Sequence, residues 1–416
     1  MSTSRATWQR ASRWNKRARF SPSCRASIFT PVFADAPQLK KKPSREGTVV
    51  STIESVVEDL RAGKMIVLMD DEDRENEGDL VAPAQGVTAD QVNFMALHAR
   101  GLVCMPITAK RVESLGLRMM VAENTAPLGT AFTVSIDSRS CRGGGVSVAD
   151  RAVTIRDAVR EDAKPDDFIV PGHVFPLRAR DGGVLVRTGQ TEGSVDLCRL
   201  AGLQPAAVIC EILNEDGTMS RLPELVDFAA HHDLKIATVA NLIEYRLQNE
   251  TLVTKVATAR LPTLVAGEFT AHVFRTEVEE GEHFVLVKGD IAPDTPTLVR
   301  AHAEYLPGDV FASLHRNTSA VLEASMRTIE AAGSGVVLYV RRPGRGAEML
   351  AGDVGASAST NPSARLANFK NYGIGAQILR ALGVRQIRLL TNGRPRLPNL
   401  AAYGLEVVET VPVDVG

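Results

Sequence analysis

The stretch MIVLMDDEDRENEGDL (65–80) joins an apolar run to seven carboxylates that fall within positions 70–80. The apolar residues 65–69 predict a buried strand. The segment SVVEDLRAG (55–63) has apolar residues at helical spacing and ends in glycine, which predicts a helix with a glycine stop. The predicted strand therefore delivers the acidic run at its carboxyl end, where α/β proteins tend to bind ligands. A charge run is usually a solvated turn, but this placement predicts a ligand site.

Length and composition indicate a globular protein with two folded halves. A chain of 416 residues is too long for one ordinary hydrophobic core. It is 44% apolar and 23% charged with a net charge of −1, so no strong field favours nucleic acid or a membrane. No apolar run approaches the ~18 residues that a membrane span needs. We therefore expect neither a nucleic-acid partner nor a membrane anchor.

The cysteines indicate reduced thiols. They stand at positions 24, 104, 141, 198 and 210, an odd and widely spaced set without a C-x-x-C pair. This pattern argues against a disulfide framework, and a Cys-rich zinc site is not visible either.

The N-terminus differs from the rest of the chain. Residues 1–34 contain seven bases and no acid, and a lysine run follows at 40–42. We predict a disordered basic tail over 1–48. An organelle transit peptide and a bacterial start site placed too far upstream both give this composition. A cytoplasmic protein is our working interpretation, and an organelle stroma is the alternative.

A second organised block runs from about 256 to 412. Three strands are predicted in it, and YGIGAQILRALG (372–383) is predicted to form a helix. IEYRLQNETLV (243–253) is the expected connector between the halves. The predicted domains are 49–250 and 251–416. The predicted strands are HFVLVKGD (283–290), GVVLYVRR (335–342) and QIRLLTN (386–392).

The chemistry of the acidic run favours a metal ion together with a phosphorylated substrate. Crowded carboxylates repel one another unless cations or hydrogen bonds lie between them. Mg²⁺ prefers oxygen ligands and commonly binds one or two carboxylates plus substrate oxygens. Arg74 lies among the acids, and its guanidinium suits a phosphate or carboxylate.

Five motifs in the first half resemble 3,4-dihydroxy-2-butanone 4-phosphate synthase, which converts ribulose 5-phosphate to a four-carbon phosphate and formate in riboflavin biosynthesis. The resemblance covers roughly 51–248. The motifs are DDEDRENEGDL (70–80), HARGLVC (98–104), PLGTAFTVSID (127–137), PGHVFPLRARDGGVLVRTG (171–189) and AAVICEILNEDGTMSRLPEL (206–225).

The second half resembles GTP cyclohydrolase II. Together the two resemblances imply an α/β protein, with a layered α+β synthase domain followed by an α/β cyclohydrolase II-like domain. They also imply a homodimer with the synthase site at its interface. The motifs are LVKGDI (286–291), RAHAE (300–304), GDVFASL (308–314), GRG (344–346), YGIGAQIL (372–379) and IRLLTN (387–392).

The synthase resemblance assigns roles to individual residues. His173 and Glu211 match two catalytic residues, and Glu75 matches a ligand of Mg²⁺ or Mn²⁺. Gln190 stands where the family has its second metal ligand. The residues that match substrate-binding positions are Arg74, Glu75, Asp79, Arg187, Thr188, Gly189, Gln190, Thr191 and Glu211.

Three departures from the family pattern fall around the implied substrate pocket. The family motif R-x-G-H-T reads RTGQT (187–191) here, so a neutral amide replaces the metal-binding histidine and weaker metal binding is expected. The segment T-T-G-[IV]-S has become GGGVS (143–147), preceded by Arg142. Val170 stands where the family usually has arginine.

The acid–base residues are retained. The family reaction needs proton transfers, and Glu75, His173 and Glu211 remain to perform them. Glu211 lies in an apolar strand, where an unpaired carboxylate is costly to bury, so a functional role is favoured. A lone histidine is more often structural than catalytic, and the PGHVFPL context sets His173 apart. We give His98 no role and expect His231 and His232 on the surface.

The second half lacks the residues that cyclohydrolase chemistry needs. The family binds zinc through three cysteines, and the matching positions here are Tyr305, Arg316 and Thr318. His302 and His315 lie nearby, but we expect no zinc. The guanine-binding Q-E-G-R has become RPGR (342–345), Asn368 and Lys370 replace the family's Asp and Arg, and 346–364 is shortened and rich in Ala, Gly and Ser. We therefore expect no GTP cyclohydrolase activity, with the domain kept for dimerisation, stability or regulation.

Three interpretations stay open at this point. The first is a working synthase that acts on a sugar phosphate and carries a degenerate cyclohydrolase domain. The second is a diverged lyase or isomerase for a related sugar phosphate. The third is a non-catalytic paralogue that regulates riboflavin enzymes. The retained acid–base residues favour the first two over the third.

Overall fold

A computed structural model describes residues 50–71, 74–276, 278, 281–341, 346, 349, 362–393 and 400–415, with the backbone alone for 362–371. The predicted tail at 1–48, the RPGR segment at 342–345 and the Ala-, Gly- and Ser-rich 346–364 lie wholly or mostly outside the described residues. The side chains of Asn368 and Lys370 lie outside them as well.

The first half of the chain forms a mixed seven-stranded sheet in the order β4-β5-β3-β6-β2-β1-β7. One apolar cluster packs on each face of this sheet, so helices and sheet form layers. The strands are β1 Ile66–Met69, β2 Gly78–Pro83, β3 Cys104–Ile107, β4 Ile136–Ser138, β5 Phe168–Arg178, β6 Ala207–Glu211 and β7 Ile236–Thr238.

The predicted first helix is confirmed as α1, Ile53–Arg61. The Thr52 hydroxyl accepts from the Ser55 backbone N–H at its start, and Gly63 follows its end with a positive φ of 75°. The other helices of this half are α2 Ala89–Phe94, α3 Ala109–Ser114, α4 Val148–Val159, α5 Gln190–Leu200, α6 Leu222–His232 and α7 Val239–Asn249, with a π-helical turn Met95–Ala99 after α2.

The acidic run forms the connection of an antiparallel hairpin. The predicted buried strand is confirmed as β1, which pairs with β2 so that Met69 faces Gly78 and Leu68 faces Asp79. A Cβ atom on Gly78 would lie 2.5 Å from a Leu225 methyl of α6, so only glycine fits at this close approach. The hairpin and α6 therefore fix the acidic connection at the edge of the packed layers.

The second half forms another mixed seven-stranded sheet, in the order β14-β13-β11-β12-β10-β9-β8. The three predicted strands and the predicted helix are confirmed in β10, β12, β13 and the last helix. The strands are β8 Val253–Thr263, β9 Gly267–Thr276, β10 Glu282–Lys288, β11 Thr297–Ala303, β12 Gly335–Val340, β13 Gln386–Leu390 and β14 Glu406–Val411. The helices are α8 Leu306–Asp309, α9 Thr318–Ala332 and α10 Pro362–Ala381.

The segment 243–253, expected to connect the two halves, consists of the end of α7, which continues to Asn249, a short link and the first residue of β8, Val253. The apolar residues of α7 bury themselves, and one cluster includes Leu247 of α7 together with Ile374 of α10. The two sheets thus share a core within the compact unit 48–416. The predicted α/β class is confirmed. None of the helices in the described ranges is long and apolar enough to cross a bilayer.

Candidate active site

Asp70 organises the acidic connection. It is 4% exposed and accepts the backbone N–H of Glu77 at 2.9 Å and that of Glu75 at 3.2 Å. Its carboxylate also lies 2.6 Å from Nη1 of Arg74, which contacts the Glu75 carboxylate as well. The hydrogen bonds of the loop therefore centre on the Asp70 carboxylate and the Arg74 guanidinium.

Gln190 meets this loop from the start of α5. Its Oε1 accepts from Arg74 Nη1 at 3.1 Å, and its Nε2 lies 3.3 Å from the Glu77 carbonyl oxygen. Gln190 is 6% exposed, so both halves of its amide are used in a buried setting. A Cβ atom on Gly189 would lie 2.6 Å from an Arg187 guanidinium nitrogen, which explains the glycine before it. The structure therefore brings Arg74, Glu75 and Gln190 together, as the sequence predicts.

Asp79 and Glu211 face each other across β2 and β6. The Glu211 carboxylate accepts the backbone N–H of Leu102 at 2.8 Å. A Cβ atom on Gly101 would lie 2.5 Å from that carboxylate, so glycine is needed where the chain passes Glu211. Burial, followed by repulsion from Glu211 and Glu75, raises the pKa of Asp79 well above its usual range. Asp79 is therefore held toward its neutral, proton-donating form beside Glu211.

His173 lies apart from these groups, on β5. The aspartate Asp137 holds it in two ways: one oxygen lies 2.7 Å from Nδ1, and the other accepts the His173 backbone N–H at 2.9 Å. The Asp137 side chain is 9% exposed and that of His173 is 46% exposed, so a buried carboxylate holds a partly exposed imidazole. Only β3 separates β5 from β6, which places the two strands about 10 Å apart.

The glycine segment that departs from the family pattern, 143–147, lies next to the His173–Asp137 pair. Asp150, near the start of α4, accepts the backbone N–H of Gly145 at 3.2 Å. A Cβ atom on Gly143 would lie 2.5 Å from the Asp150 carboxylate, and Gly144 has φ of +86°. A Cβ atom on Gly145 would meet Asp137 at 2.1 Å. The glycines therefore let the backbone close tightly over Asp150 and Asp137.

The remaining predicted substrate residues line the approach to α5. Arg187 Nη1 lies 2.6 Å from Glu192, which is 1% exposed, and Nη2 lies 3.2 Å from the Thr130 hydroxyl. Thr191 is buried in the first turn of α5, and Thr188 lies half-buried between Arg187 and that turn. The charge of Arg187 is thus partly balanced within the protein.

Three functional candidates were missed by sequence reasoning: Asp70 as the loop organiser, Asp137 as the partner of His173, and Arg221. The Arg221 guanidinium donates to the carbonyl oxygens of Glu75 and Asn76 and so holds the acidic loop against the start of α6. Asp137 closes the quoted motif PLGTAFTVSID, but its sequence gives no sign that it contacts a residue 36 positions later.

The pocket formed by these residues is rich in negative charge. Burial and then Glu75 raise the pKa of Glu77, as expected where carboxylates are crowded. Arg74 contributes a positively charged guanidinium within this cluster of carboxylates. Among the residues that the structure describes, no three or more His, Cys, Asp or Glu side chains are arranged to hold a metal ion. Glu75 and the amide oxygen of Gln190 offer two oxygen donors, which suits Mg²⁺ where a substrate supplies further oxygens.

Two of the three positions matched to the family's zinc ligands in the second half, Tyr305 and Thr318, contact Asp309. Its carboxylate accepts from Thr318 Oγ1 at 2.5 Å and from the Tyr305 backbone N–H at 2.8 Å. It also lies 2.8 Å from His302 Nε2. The Arg316 guanidinium lies over the Tyr305 ring, 5.2 Å from its centroid. These groups do not fit zinc, because phenol, guanidinium and hydroxyl replace the thiolates.

Several histidines fall outside both sites. His98 and His232 pack with their ring centroids 4.9 Å apart, and His231 lies 4.7 Å from His232. His231 is exposed while His232 is half-buried, so the predicted surface position holds fully for His231 alone. His315 is exposed.

All four cysteines in the described part of the chain are free thiols, as predicted. Cys104, Cys198 and Cys210 are buried and Cys141 is half-buried. Burial raises the pKa of the Cys198 thiol to about 12. Burial also raises the pKa of the Cys104 and Cys210 thiols, so the three buried thiols are held in the protonated form.

Comparisons with known proteins match each half of the chain to one family. The 3,4-dihydroxy-2-butanone 4-phosphate synthase family matches residues 54–245, and the GTP cyclohydrolase II family matches residues 254–412.

Individual relatives cover both halves. Riboflavin biosynthesis protein RibBA of Aquifex aeolicus is 48% identical over 383 residues, which span 89% of this chain and 94% of that protein. RibBA of Bacillus cereus is 46% identical, over 87% of this chain and 93% of its own length. The crystal structure of RibBX from A. baumannii, a two-domain 3,4-dihydroxy-2-butanone 4-phosphate synthase, has a TM-score of 0.70 at 38% identity and covers 88% of this chain and 99% of its own.

Proposed function

The chain belongs to the family of two-domain fusions of 3,4-dihydroxy-2-butanone 4-phosphate synthase and GTP cyclohydrolase II, and we propose that in this member only the first domain is catalytic. In this proposal the first domain converts D-ribulose 5-phosphate to L-3,4-dihydroxy-2-butanone 4-phosphate and formate. The observation that carries the proposal is the convergence of Arg74, Glu75, Asp79 and Glu211 in one pocket, because these positions match the substrate and catalytic residues of the family.

The proton transfers fall to groups with fixed positions and different protonation. Glu211, held by the Leu102 N–H, acts as a base toward a substrate carbon or hydroxyl. Asp79, kept toward its neutral form by burial and by Glu211, donates a hydrogen bond to a substrate oxygen. His173 serves as the second acid–base group, and Asp137 fixes its ring orientation through Nδ1, leaving Nε2 for the substrate.

Binding of the anionic substrate requires compensation of the negative pocket. Arg74 supplies one positive charge, but it is already shared among Asp70, Glu75 and Gln190. In the proposal Glu75 and Gln190 hold Mg²⁺ or Mn²⁺, which polarises the substrate carbonyl and hydroxyl oxygens when bound. Gln190 lacks the metal-binding ring nitrogen of histidine, and its amide oxygen already accepts a hydrogen bond from Arg74. Metal affinity is therefore lower than in relatives with histidine at this position.

A homodimer completes the site in this proposal. His173 is nearly half-exposed, and the apolar side chains around it are exposed as well: Val146 by 61%, Ile169 by 45% and Val170 by 48%. Such neighbours are typical of a surface that is covered in an assembly. A second copy of the chain would bury these residues and bring its His173 toward the acidic pocket of the first.

The second domain does not hydrolyse GTP in this proposal. Hydrolysis at the guanine ring needs zinc-activated water, and Tyr305, Arg316 and Thr318 do not supply zinc ligands. Asp309 instead accepts hydrogen bonds from the Tyr305 backbone N–H and the Thr318 hydroxyl, and Arg316 lies over the Tyr305 ring. The A. baumannii relative, described as a two-domain synthase, supports one activity on two domains.

The test measures formate from ribulose 5-phosphate and, separately, GTP consumption. The proposal expects formate from the unaltered protein, none from Glu211→Gln, and no loss of GTP. The Glu215→Gln variant is a matched control, because Glu215 lies in an exposed turn of the same segment. Formate from Glu211→Gln at the unaltered rate, or zinc-dependent loss of GTP, contradicts the proposal.

A further inference from the structure

The second domain contains a cavity of about 180 Å³ between its sheet and α10. Small side chains keep it open on two sides: Ala301 and Ala303 on β11, and Gly375 and Ala376 on α10. A Cβ atom on Gly375 would lie 3.1 Å from a Leu338 methyl, so even alanine would narrow the space. The other residues that line it are Val299, His302, Leu338, Val340, Tyr372, Leu379, Ile387, Leu389, Leu400 and Val407.

The chemistry of the walls selects a neutral ligand. None of the described lining residues is Asp, Glu, Lys or Arg. The ring of His302 stacks on Tyr339 and its Nε2 lies 2.8 Å from Asp309, so its polar atoms are directed toward that network. Tyr372 is 42% exposed, and Ala301 and Ala303 are exposed as well, so the cavity opens to solvent. The described walls offer no Lys or Arg as a counter-charge to a phosphate, so they favour an uncharged ligand.

The size of the cavity sets the class of ligand. Apolar cavities of about 150 Å³ stay dry and take up benzene. We propose that this cavity binds a small, uncharged ring compound, of the size of benzene to indole, and that the second domain thereby serves as a ligand-sensing domain. The binding itself is independent of the proposed synthase activity, whereas the effect on catalysis described next rests on it.

The helix that walls the cavity is bonded directly to the first domain. Gln377 of α10 is 8% exposed and donates to the carbonyl oxygens of Leu247 at 2.6 Å and Glu250 at 2.9 Å. Its Oε1 accepts the Leu252 backbone N–H at 2.8 Å. A displacement of α10 by a ligand is therefore passed to the end of α7.

A buried ion pair continues from α7 to the active-site helix. Arg246 of α7 is 4% exposed and lies 2.7 Å from Asp196 of α5, which is also buried. Helix α5 begins with Gln190, which contacts Arg74 in the acidic pocket. Each link is a hydrogen-bonded or ion-paired contact, and such contiguous contacts are one route by which distant sites can be coupled.

The binding experiment uses fluorobenzene as a neutral probe and 4-fluorobenzoate as its charged counterpart, followed by ¹⁹F NMR with the full chain. Saturable line broadening is expected for fluorobenzene alone. Ala376→Leu fills the cavity and should abolish the line broadening. Ala381→Leu, at an exposed position of the same helix, should leave the broadening unchanged. If Ala376→Leu fails to fold, Ala301→Val provides the same test from the opposite wall. Absence of saturable broadening, or broadening that survives either filling variant, overturns the proposed site.

The coupling experiment measures the rate of formate release with and without fluorobenzene. A change of at least twofold is expected in the unaltered protein. Gln377→Met should still bind fluorobenzene by NMR but lose the rate response. A rate that fluorobenzene does not change, in a protein that binds it, overturns the coupling and leaves the proposed synthase activity intact. Absence of formate with binding retained would instead count against the synthase proposal.

Discussion

Replacement of Asp309 by asparagine tests whether a hydrogen-bonded network has taken the place of the family's zinc site. Each carboxylate oxygen of Asp309 serves two donors: Oδ1 faces His302 and Thr318, and Oδ2 faces the Tyr305 N–H and the Tyr339 hydroxyl. Asparagine keeps the shape but converts one oxygen to an NH₂ group. The two hydrogen bonds that this oxygen accepts are then lost, and their two donor groups face the NH₂ group, which is itself a donor.

The expected cost follows from the charge and burial of this group. The Asp309 side chain is 4% exposed, and a hydrogen bond to a charged acceptor contributes about 1.5–3 kcal/mol. Loss of two such bonds should lower the free energy of unfolding by about 3–5 kcal/mol. With a urea m-value of roughly 2 kcal/mol/M, the midpoint should fall by more than about 1 M.

The pH dependence gives a second readout of the same change. Burial acts to raise the pKa of Asp309, but hydrogen bonds from His302, Thr318 and Tyr339 outweigh it and hold the pKa below its usual range. A depressed pKa stabilises the fold above the unfolded value of about 4, and the contribution is lost as pH falls through the folded pKa. The difference between the two proteins should therefore be full at pH 7 and shrink toward pH 3.

The assay is urea unfolding followed by circular dichroism, with Asp294→Asn as the matched control because Asp294 is exposed in the same domain. The free energy of unfolding of the control should lie within about 0.5 kcal/mol of that of the unaltered protein. If Asp309→Asn unfolds no earlier than Asp294→Asn, or if chelators destabilise the unaltered protein as strongly as the substitution does, the network is not the stabilising element.

Three further substitutions address the first domain. Asp137→Asn should lower kcat by about 10²–10⁴-fold with a smaller change in KM, because His173 loses its fixed tautomer; steady-state kinetics with a pH profile check this, and an unchanged profile refutes it. Arg221→Met should raise KM by about tenfold by releasing the Glu75 and Asn76 carbonyls, and a KM equal to that of the unaltered protein would contradict this role. Gly143→Thr should destabilise the fold by about 1–3 kcal/mol because its Cβ meets Asp150; thermal unfolding that is not shifted downward would show that the loop adapts.

Much of the fold was predictable from local patterns. The helix at 55–63 and the strand at 65–69 were predicted from apolar spacing and a glycine stop, and both are confirmed as α1 and β1. The position of the connector was predictable, but its helical structure was not, because α7 buries its apolar face against α10, and contacts such as that between Leu247 and Gly373 join residues more than 100 positions apart.

The site was predictable only where its residues share a motif. Arg74 and Glu75 stand together in the acidic run, whereas the partner of His173 lies on another strand and leaves no local signal. The acidic run was expected at the end of a strand, and the structure adds that the next strand returns antiparallel to it. The three departures divide into two groups: Gln190 contacts Arg74, while Gly143 lies by Asp150 and Val170 lies on β5 with His173. The motifs alone could not give this separation, because it depends on strand order.

The most direct test of the central claim compares the unaltered protein with Gln190→His in a Mg²⁺ titration, with ribulose 5-phosphate as substrate and formate as the measured product. Our account predicts formate from both proteins, with half-maximal activity at lower Mg²⁺ in the variant, because the substitution restores the histidine that the family has as a metal ligand at this position and removes an amide oxygen that Arg74 already engages. Absence of formate from both proteins, with circular dichroism showing intact folding, would contradict the account.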